Sequence, residues 1–218
     1  MSEFDSDGVV RHLSDGGGAS LNSVEAIQRF GLSSLVGGEA ATVAQISEWS
    51  GLTTDEVRSG IEGLRRAGRI ETTDDLVVGV GGITLNQSVH ALRLPEASVH
   101  TWCALDAIGI PVALGLDAEI HTTCPHCGDR LHVTVADVAV DDKPYRLLCP
   151  TGQCDDVRAE FCSAANLFCS IDHLRAWTAD NPGVEGNELD LRATAELGRA
   201  MWGRYRADTD AGRRSPRS

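Results

Sequence analysis

The amino-acid sequence predicts an α+β protein, in which a helical, winged-helix-like domain precedes a mixed α/β domain with a small, mainly antiparallel sheet. Apolar residues at helical spacing dominate before about residue 90, and short β-segments bounded by turn residues follow it. The seven cysteines are clustered, because all of them lie between Cys103 and Cys169. The expected organisation is a tail over 1–20, a winged-helix-like domain over 21–90, a second domain over 91–206 and a tail over 207–218.

The N-terminal elements follow from apolar spacing and from capping residues. A first helix is expected over 23–38, where glycines close it, and a second over 41–49. Thr53 followed by Glu56 has the spacing of a capping box, which opens a third helix. The segments "RIET" and "LVVGV", separated by two aspartates, then predict a two-stranded wing. Helix, turn, helix and wing together resemble a winged helix-turn-helix.

The charge of the third helix bears on whether this domain reads DNA. The helix mixes three arginines with three acidic residues: Arg58, Arg65, Arg66 and Asp55, Glu56, Glu62. A DNA-reading helix is normally rich in basic and amide residues, and the whole chain has a formal net charge of -13. We therefore expect no nucleic-acid partner and favour a winged helix kept as a packing module over a DNA-binding domain.

The second domain reads as strands followed by two helices. One or two strands are expected over 82–95, and further β-segments are expected over 118–124, 130–140 and 145–149. A strand followed by a helix is expected over 164–181. The segment 188–208 is amphipathic, and its apolar face is formed by Leu191, Ala195, Leu197 and Met201.

The expected compartment is the cytosol. The chain shows no apolar run of membrane-spanning length and no basic-then-apolar leader at its start. Thiols stay reduced in the cytosol, so seven cysteines, an odd number, are better interpreted as ligands or nucleophiles than as disulfides.

Two separated cysteines and one aspartate form the first candidate site. The stretch "HTWCALDAIGIPVALG" is expected to be helical from Trp102 until Pro111 disrupts it, which places Cys103 and Asp106 three residues apart on one face. On its own this pair is better interpreted as a small buried cysteine beside a capping aspartate. A later stretch, "DDVRAEFCSAANLF", adds Cys162. Two thiols select soft metals, and a carboxylic acid beside them can deliver a proton.

These stretches resemble the alkylmercury (organomercurial) lyase family. The resemblance covers about residues 40–205, and it is carried by "GITLNQSVHALRL", "WCALDAIGIPVALG", "HTTC" and "DVRAEFCSAANLF". It implies cleavage of a carbon–mercury bond by protonolysis, giving a hydrocarbon and Hg²⁺. It also implies that the catalytic residues are Cys103, Asp106 and Cys162, that no organic cofactor is needed, and that the N-terminal domain is not a DNA reader.

The partners implied are an organomercurial substrate, small thiols and a mercuric reductase that takes the product. Cys124 matches a family cysteine regarded as structural. Trp102 is interpreted either as a wall of the pocket or as plain core.

A cysteine-rich loop over 124–154 departs from the family pattern. "CPHCG" is typical of a zinc-knuckle turn, and Cys149 and Cys154 supply a second pair, so Cys124, Cys127, Cys149 and Cys154 are the expected ligands of a structural zinc ion. Two alternatives are unrelated reduced thiols and auxiliary thiols that receive Hg²⁺. Cys169 lies in an apolar segment and is expected to belong to the core.

Two other functions stay open at this point. One is a metal-responsive transcriptional regulator that couples a winged helix to a cysteine-rich sensor. The other is a lyase that acts on another carbon–metal bond.

Overall fold

The computed structural model describes residues 21–206, and the two predicted tails, 1–20 and 207–218, lie outside the described residues. The helices are α1 (Leu21–Val36), α2 (Val43–Ser50), α3 (Thr54–Arg66), α4 (Ala104–Leu114), α5 (Ile171–Asp180) and α6 (Leu191–Trp202), with a π-helix at Val157–Cys162 and a 3₁₀ turn at Gly203–Tyr205. The strands are β1 (Ala41–Thr42), β2 (Ile70–Thr73), β3 (Leu76–Val80), β4 (Ile83–Thr84), β5 (His90–Arg93), β6 (Ser98–Thr101), β7 (Ala118–Thr123), β8 (Arg130–Ala136), β9 (Ala139–Val140), β10 (Arg146–Pro150), β11 (Leu167–Phe168) and β12 (Gly186–Leu189).

Side-chain caps fix where the N-terminal helices begin. Thr53 accepts a hydrogen bond from the Glu56 N–H, and the Glu56 carboxylate accepts one from the Thr53 N–H, so the predicted capping box is present. Thr42 and Gln45 form a second box at the start of α2. This helix begins two residues later than expected, because Ala41 and Thr42 pair with β3 instead.

The nine-stranded sheet is antiparallel and runs through both predicted domains. Its order is β1-β3-β4-β6-β5-β7-β8-β9, with β2 paired to β3. The mixed α+β prediction with antiparallel sheets is confirmed, but this sheet is larger than the small one expected. The reason is that β4 pairs with β3 on one side and with β6 on the other, so strands from both halves of the chain join.

A second sheet has three strands in the order β11-β10-β12, and its middle strand contacts helices α4, α5 and α6. Helix α4 is buried along its whole length, from Ala104 to Leu114. The expectation that Pro111 would disrupt this helix is wrong, since the helix continues to Leu114 and ends at Gly115 in the left-handed conformation. Burial of every apolar side chain in the last turn offsets the backbone hydrogen bond that proline cannot donate.

Helices α4 and α6 touch backbone to backbone. A Cβ added at Gly198 would lie 2.3 Å from the Gly109 Cα, so only two glycines permit this approach. The four predicted apolar residues of α6 are all buried. Trp202, at the end of α6, donates from its indole nitrogen to the Gly81 carbonyl at 2.8 Å, which ties the helix to the turn between β3 and β4.

Across the part of the chain from residue 21 to residue 206, no helix combines the length and the hydropathy that crossing a membrane requires.

Candidate active site

Cys103 and Asp106 meet at the start of α4. Cys103 is the N-cap residue and has an extended backbone, so it precedes the helix and does not lie within it as the sequence suggested. Its N–H donates to the Asp106 carboxylate at 3.0 Å, which satisfies one of the free donors of the first turn. The expected three-residue proximity is therefore present, but it arises from capping geometry.

Close backbone packing holds the Asp106 carboxyl in place. Gly82 has φ +100, and a Cβ at this position would lie 2.4 Å from Asp106 Oδ1. The Gly82 carbonyl accepts a hydrogen bond from the Trp102 N–H at 2.9 Å. A glycine is needed here both for the backbone angle and for the space that the carboxyl occupies.

Cys162 is the last residue of the π-helix, and the N-terminal half of the chain supports that helix. Asp156 caps it by accepting from the Arg158 and Ala159 N–H groups, each at 3.0 Å. The Val157 N–H donates to the Ala67 carbonyl at 3.1 Å, directly after α3. A salt bridge from Arg158 to Glu71 on β2 adds a second link. Helix α3 and the β2–β3 hairpin thus position the segment that presents Cys162.

The two thiols and the carboxyl form one buried cluster. The Sγ atoms of Cys103 and Cys162 and a carboxyl oxygen of Asp106 all lie within 4.8 Å of one another. Cys103 is fully buried, and Asp106 and Cys162 are each only 5% exposed. The structure therefore brings together the three residues that the sequence nominated from separate stretches.

Burial sets the protonation of the cluster. It raises the pKa of Asp106 to about 7, although hydrogen bonds from the Cys103 thiol and backbone act in the opposite direction. Burial also raises the pKa of Cys103 well above its usual value, and the neighbouring Cys162 and Asp106 add to this effect. At neutral pH the Cys103 thiol therefore keeps its proton, while Asp106 is divided between its neutral and ionised forms.

Cys162 differs from Cys103 in its surroundings. A hydrogen bond with Cys103 acts to lower the pKa of the Cys162 thiol, but burial and the charge of Asp106 outweigh it and raise the pKa. The Arg158 guanidinium also acts to lower it. Of the two thiols in the cluster, Cys162 is therefore the one whose thiolate form is favoured by neighbours, the Cys103 thiol and the Arg158 guanidinium.

A cavity of about 570 Å³, counted to its open mouth, leads to this cluster. Asp106 and Cys162 are among its lining residues, whereas Cys103 is not. Trp102 also lines it, as one of its two interpretations proposed, and the Arg158 guanidinium lies 5.6 Å from the centre of the indole ring. A ligand entering the cavity would meet Cys162 first and Cys103 second.

Sequence reasoning missed several residues of the cavity wall. Gln28 and Arg69 come from the N-terminal half, and Trp202 and Tyr205 from the C-terminal end. Tyr205 donates from its hydroxyl to the Gln28 side-chain oxygen at 3.1 Å, across the cavity wall. No local pattern marks these residues, because their approach depends on how the ends of the described chain pack together.

The predicted zinc ligands do not lie together. Among the described residues, Cys124 and Cys127 form a group with Cys169 and His173, and neither Cys149 nor Cys154 belongs to it. Cys149 is fully buried on β10, and Cys154 lies in the segment that leads to the π-helix. The set of four cysteines expected from the sequence is therefore corrected, since Cys149 is held in the three-stranded sheet and Cys154 lies beyond it in the chain. Cys169, expected to be a core residue, is half-buried at the cluster.

Fold and site together define a protein that presents two buried thiols and a protonatable carboxyl at the end of a cavity, a set suited to soft-metal chemistry. A sequence profile described as alkylmercury lyase matches residues 83–203. An alkylmercury lyase of Bacillus cereus is 28% identical over 80% of this chain and 79% of its own length. One from Streptomyces lividans is 28% identical over 85% of this chain and 86% of its own.

A solved structure agrees with the fold. The mercury-bound form of MerB2 superposes with a TM-score of 0.79 at 20% identity, over 91% of this chain and 98% of that one. The profile spans more than half of the chain, so the chain belongs to the alkylmercury lyase family. It is an organomercurial lyase, an enzyme that cleaves carbon–mercury bonds.

Proposed function

We propose that this lyase cleaves the carbon–mercury bond by protonolysis, with Cys103 and Cys162 as mercury ligands and Asp106 as the proton carrier. The observation that supports this assignment is the buried cluster, in which two sulfurs and a carboxyl oxygen lie within 4.8 Å of one another. Mercury prefers sulfur, and carbon bound to mercury needs a proton to leave as a hydrocarbon. The cluster supplies both.

The first step is thiol exchange at Cys162. The substrate arrives as an organomercurial bound to a small thiol, and the Cys162 sulfur displaces that thiol, which leaves with the Cys162 proton. Cys162 takes this role because it lines the cavity and because Arg158 favours its thiolate. Mercury then carries its organic group and one protein sulfur.

The second step joins Cys103 to mercury and moves one proton. The Asp106 carboxylate accepts the Cys103 proton, and the Cys103 sulfur forms the second bond to mercury. Asp106 then donates that proton to carbon as the carbon–mercury bond breaks, so the products are a hydrocarbon and Hg²⁺ held by two sulfurs. A group whose pKa is raised to about 7 suits both halves of this transfer at neutral pH.

The setting protects the proton. Burial of the three residues excludes bulk water, so the proton on Asp106 is delivered to carbon and not exchanged away during the reaction. Two small thiols then remove Hg²⁺ by exchange, and a mercuric reductase is the partner proposed to receive it.

Headspace detection of methane from methylmercury with excess small thiol tests the assignment. Wild-type protein is expected to release methane, and Cys103→Ser, Cys162→Ser and Asp106→Asn to release none while they remain folded by circular dichroism. Cys154→Ser serves as the matched cysteine control and is expected to keep turnover. Retention of methane release by any of the three cluster variants would remove that residue from the mechanism.

We further propose that residues 21–90 form a winged-helix-like packing module and that 91–206 form the catalytic domain. On α3, Arg58 is paired with Asp55 and Arg65 with Glu62, so these two arginines are neutralised locally. The contacts from Ala67 and Glu71 to the π-helix give the module a structural role. A gel shift on DNA is expected to show no binding at physiological salt.

A further inference from the structure

We propose that Cys124, Cys127, Cys169 and His173 bind a structural zinc ion that joins the two sheets at one end of the chain segment 162–169. One nitrogen or sulfur atom from each of the four residues lies within 4.8 Å of every other. The site is independent of the lyase chemistry, because none of the four residues belongs to the Cys103–Asp106–Cys162 cluster.

The first two ligands come from the turn between β7 and β8. The Cys124 N–H donates to the Asp129 carbonyl, and the Gly128 N–H donates to the Cys124 carbonyl, each at 2.9 Å. Gly128 has φ +78, the left-handed conformation that lets the chain fold back after Cys127. The turn aims both sulfurs to the same side, and backbone N–H groups of Cys127 and Cys169 point at the Cys124 sulfur, as suits a thiolate.

The other two ligands come from the start of α5. Cys169 follows β11 directly, and Ser170 caps the helix by accepting from the His173 N–H at 3.2 Å. This cap places the His173 ring one turn along, with its Nδ1 atom 2.8 Å from the Cys169 sulfur and 4.0 Å from the Cys124 sulfur. The His126 ring lies beside it, with 4.7 Å between the ring centres.

The spacing of these atoms fits a tetrahedron around zinc. Zn–S bonds of about 2.3 Å and Zn–N bonds of about 2.0 Å give edges of roughly 3.5 to 3.8 Å between ligand atoms. The Cys127 and Cys169 sulfurs are 3.7 Å apart, and the two sulfur–nitrogen separations of 2.8 and 4.0 Å lie on either side of the ideal edge. Equal separations would require the His173 side chain to rotate when the ion binds.

The donor set indicates the kind of ion and its role. Three thiolates and an imidazole are typical of zinc, and hard cations that prefer oxygen are excluded. All four tetrahedral positions are filled by the protein, so no position is left for water or substrate, which makes the site structural. Cys124 is buried, but Cys127 is exposed and Cys169 and His173 are half-buried, so the ion can enter after folding.

Zinc at this position would connect two parts of the fold. The β7–β8 turn belongs to the nine-stranded sheet, whereas β11 belongs to the three-stranded sheet. Between Cys162 and Cys169 the chain is tied to the start of α4, since the Ala165 carbonyl accepts from the Ala104 N–H at 3.0 Å. The ion would therefore hold one end of the short segment whose other end is Cys162.

Metal analysis of protein purified anaerobically, without added mercury, tests the proposal. We expect about one zinc ion per chain. We expect most of the zinc to be lost from each of three variants: Cys127→Ser, Cys169→Ser and His173→Ala. His173→Cys supplies a fourth thiolate in place of the imidazole and is expected to keep the zinc. Cys154→Ser is the matched control and is expected to keep full zinc content.

Cobalt gives a readout that does not depend on the stability of the variants. Co²⁺ added to chelator-treated wild-type protein is expected to produce the intense thiolate-to-cobalt bands and the tetrahedral d–d bands of a Cys₃His site. Zinc-free protein that also takes up no Co²⁺, a Cys127–Cys169 disulfide in the anaerobic protein, or full zinc retention by Cys169→Ser would each overturn the proposal. Lyase activity enters none of these measurements, so they stand whether or not the protonolysis mechanism is correct.

Discussion

The raised pKa of Asp106 predicts that Asp106→Asn changes how stability depends on pH. Burial moves the pKa of this carboxyl from 3.8 to about 7, a shift of about three units. Each unit is worth about 1.4 kcal/mol, so the ionised carboxylate costs the folded state roughly 4 kcal/mol once the pH exceeds 7. Asp106 is almost fully buried, so solvent screening does not reduce this figure much.

The direction follows from which state binds the proton. The folded state holds the proton more tightly than the unfolded state, so Asp106 does not destabilise the fold below pH 3.8. The destabilisation grows as the pH rises from 3.8 and is complete above about 7. Asparagine stays neutral throughout. The difference in unfolding free energy, variant minus wild type, should therefore grow by roughly 3 kcal/mol between pH 5 and pH 8.

Urea denaturation of both proteins at several pH values measures this difference. The Cys103 and Cys162 thiols, whose pKa values are raised, stay protonated over this pH range in both proteins and so add little to the difference. Asp75→Asn, which changes an exposed turn residue, is the control and should follow wild type at every pH. A difference for Asp106→Asn that stays constant from pH 5 to pH 8 would refute the raised pKa.

Three further predictions follow from the same geometry. The single-turnover rate of hydrocarbon release should rise with pH through about 7, because Asp106 must be ionised to accept the Cys103 proton; a flat profile between pH 5.5 and 8.5 would contradict this role. Gly82→Ala should lower the same rate by roughly 100-fold without unfolding the protein, since its Cβ would displace the Asp106 carboxyl. Gly198→Ala should lower the unfolding free energy by about 3 kcal/mol, because its Cβ would overlap Gly109, whereas Gly203→Ala, with open space around it, should change little in the same urea titration.

The sequence predicted the elements and the first site better than the second. The Thr53–Glu56 box and the Cys103–Asp106 pair depend on residues three apart, and short-range spacing is visible in a sequence. Cys162 comes from a separate stretch, and only the resemblance to a family implies that it acts with Cys103, since nothing local connects the two. The helix through Pro111 was missed because complete burial, a tertiary property, outweighed the local preference.

The proposed zinc site shows where sequence spacing fails. The knuckle at Cys124 and Cys127 was visible as "CPHCG", but its partners were assigned to Cys149 and Cys154 because these are a nearby pair. The structure brings Cys169 and His173 to the knuckle instead, through β11 and the start of α5. Cys169 and His173 are four residues apart, about one helical turn, and this spacing is the signal that the sequence offers for the pair. The apolar surroundings of Cys169 favour a core residue instead.

Mass spectrometry of the gas released from methylmercury in D₂O tests the central claim most directly. Protonolysis takes its hydrogen from the exchangeable Cys103–Asp106 pair, so wild-type protein with excess thiol should release CH₃D, and Asp106→Asn should release none above background. Methane without deuterium, ethane in place of methane, or CH₃D from Asp106→Asn at the wild-type rate would contradict the account.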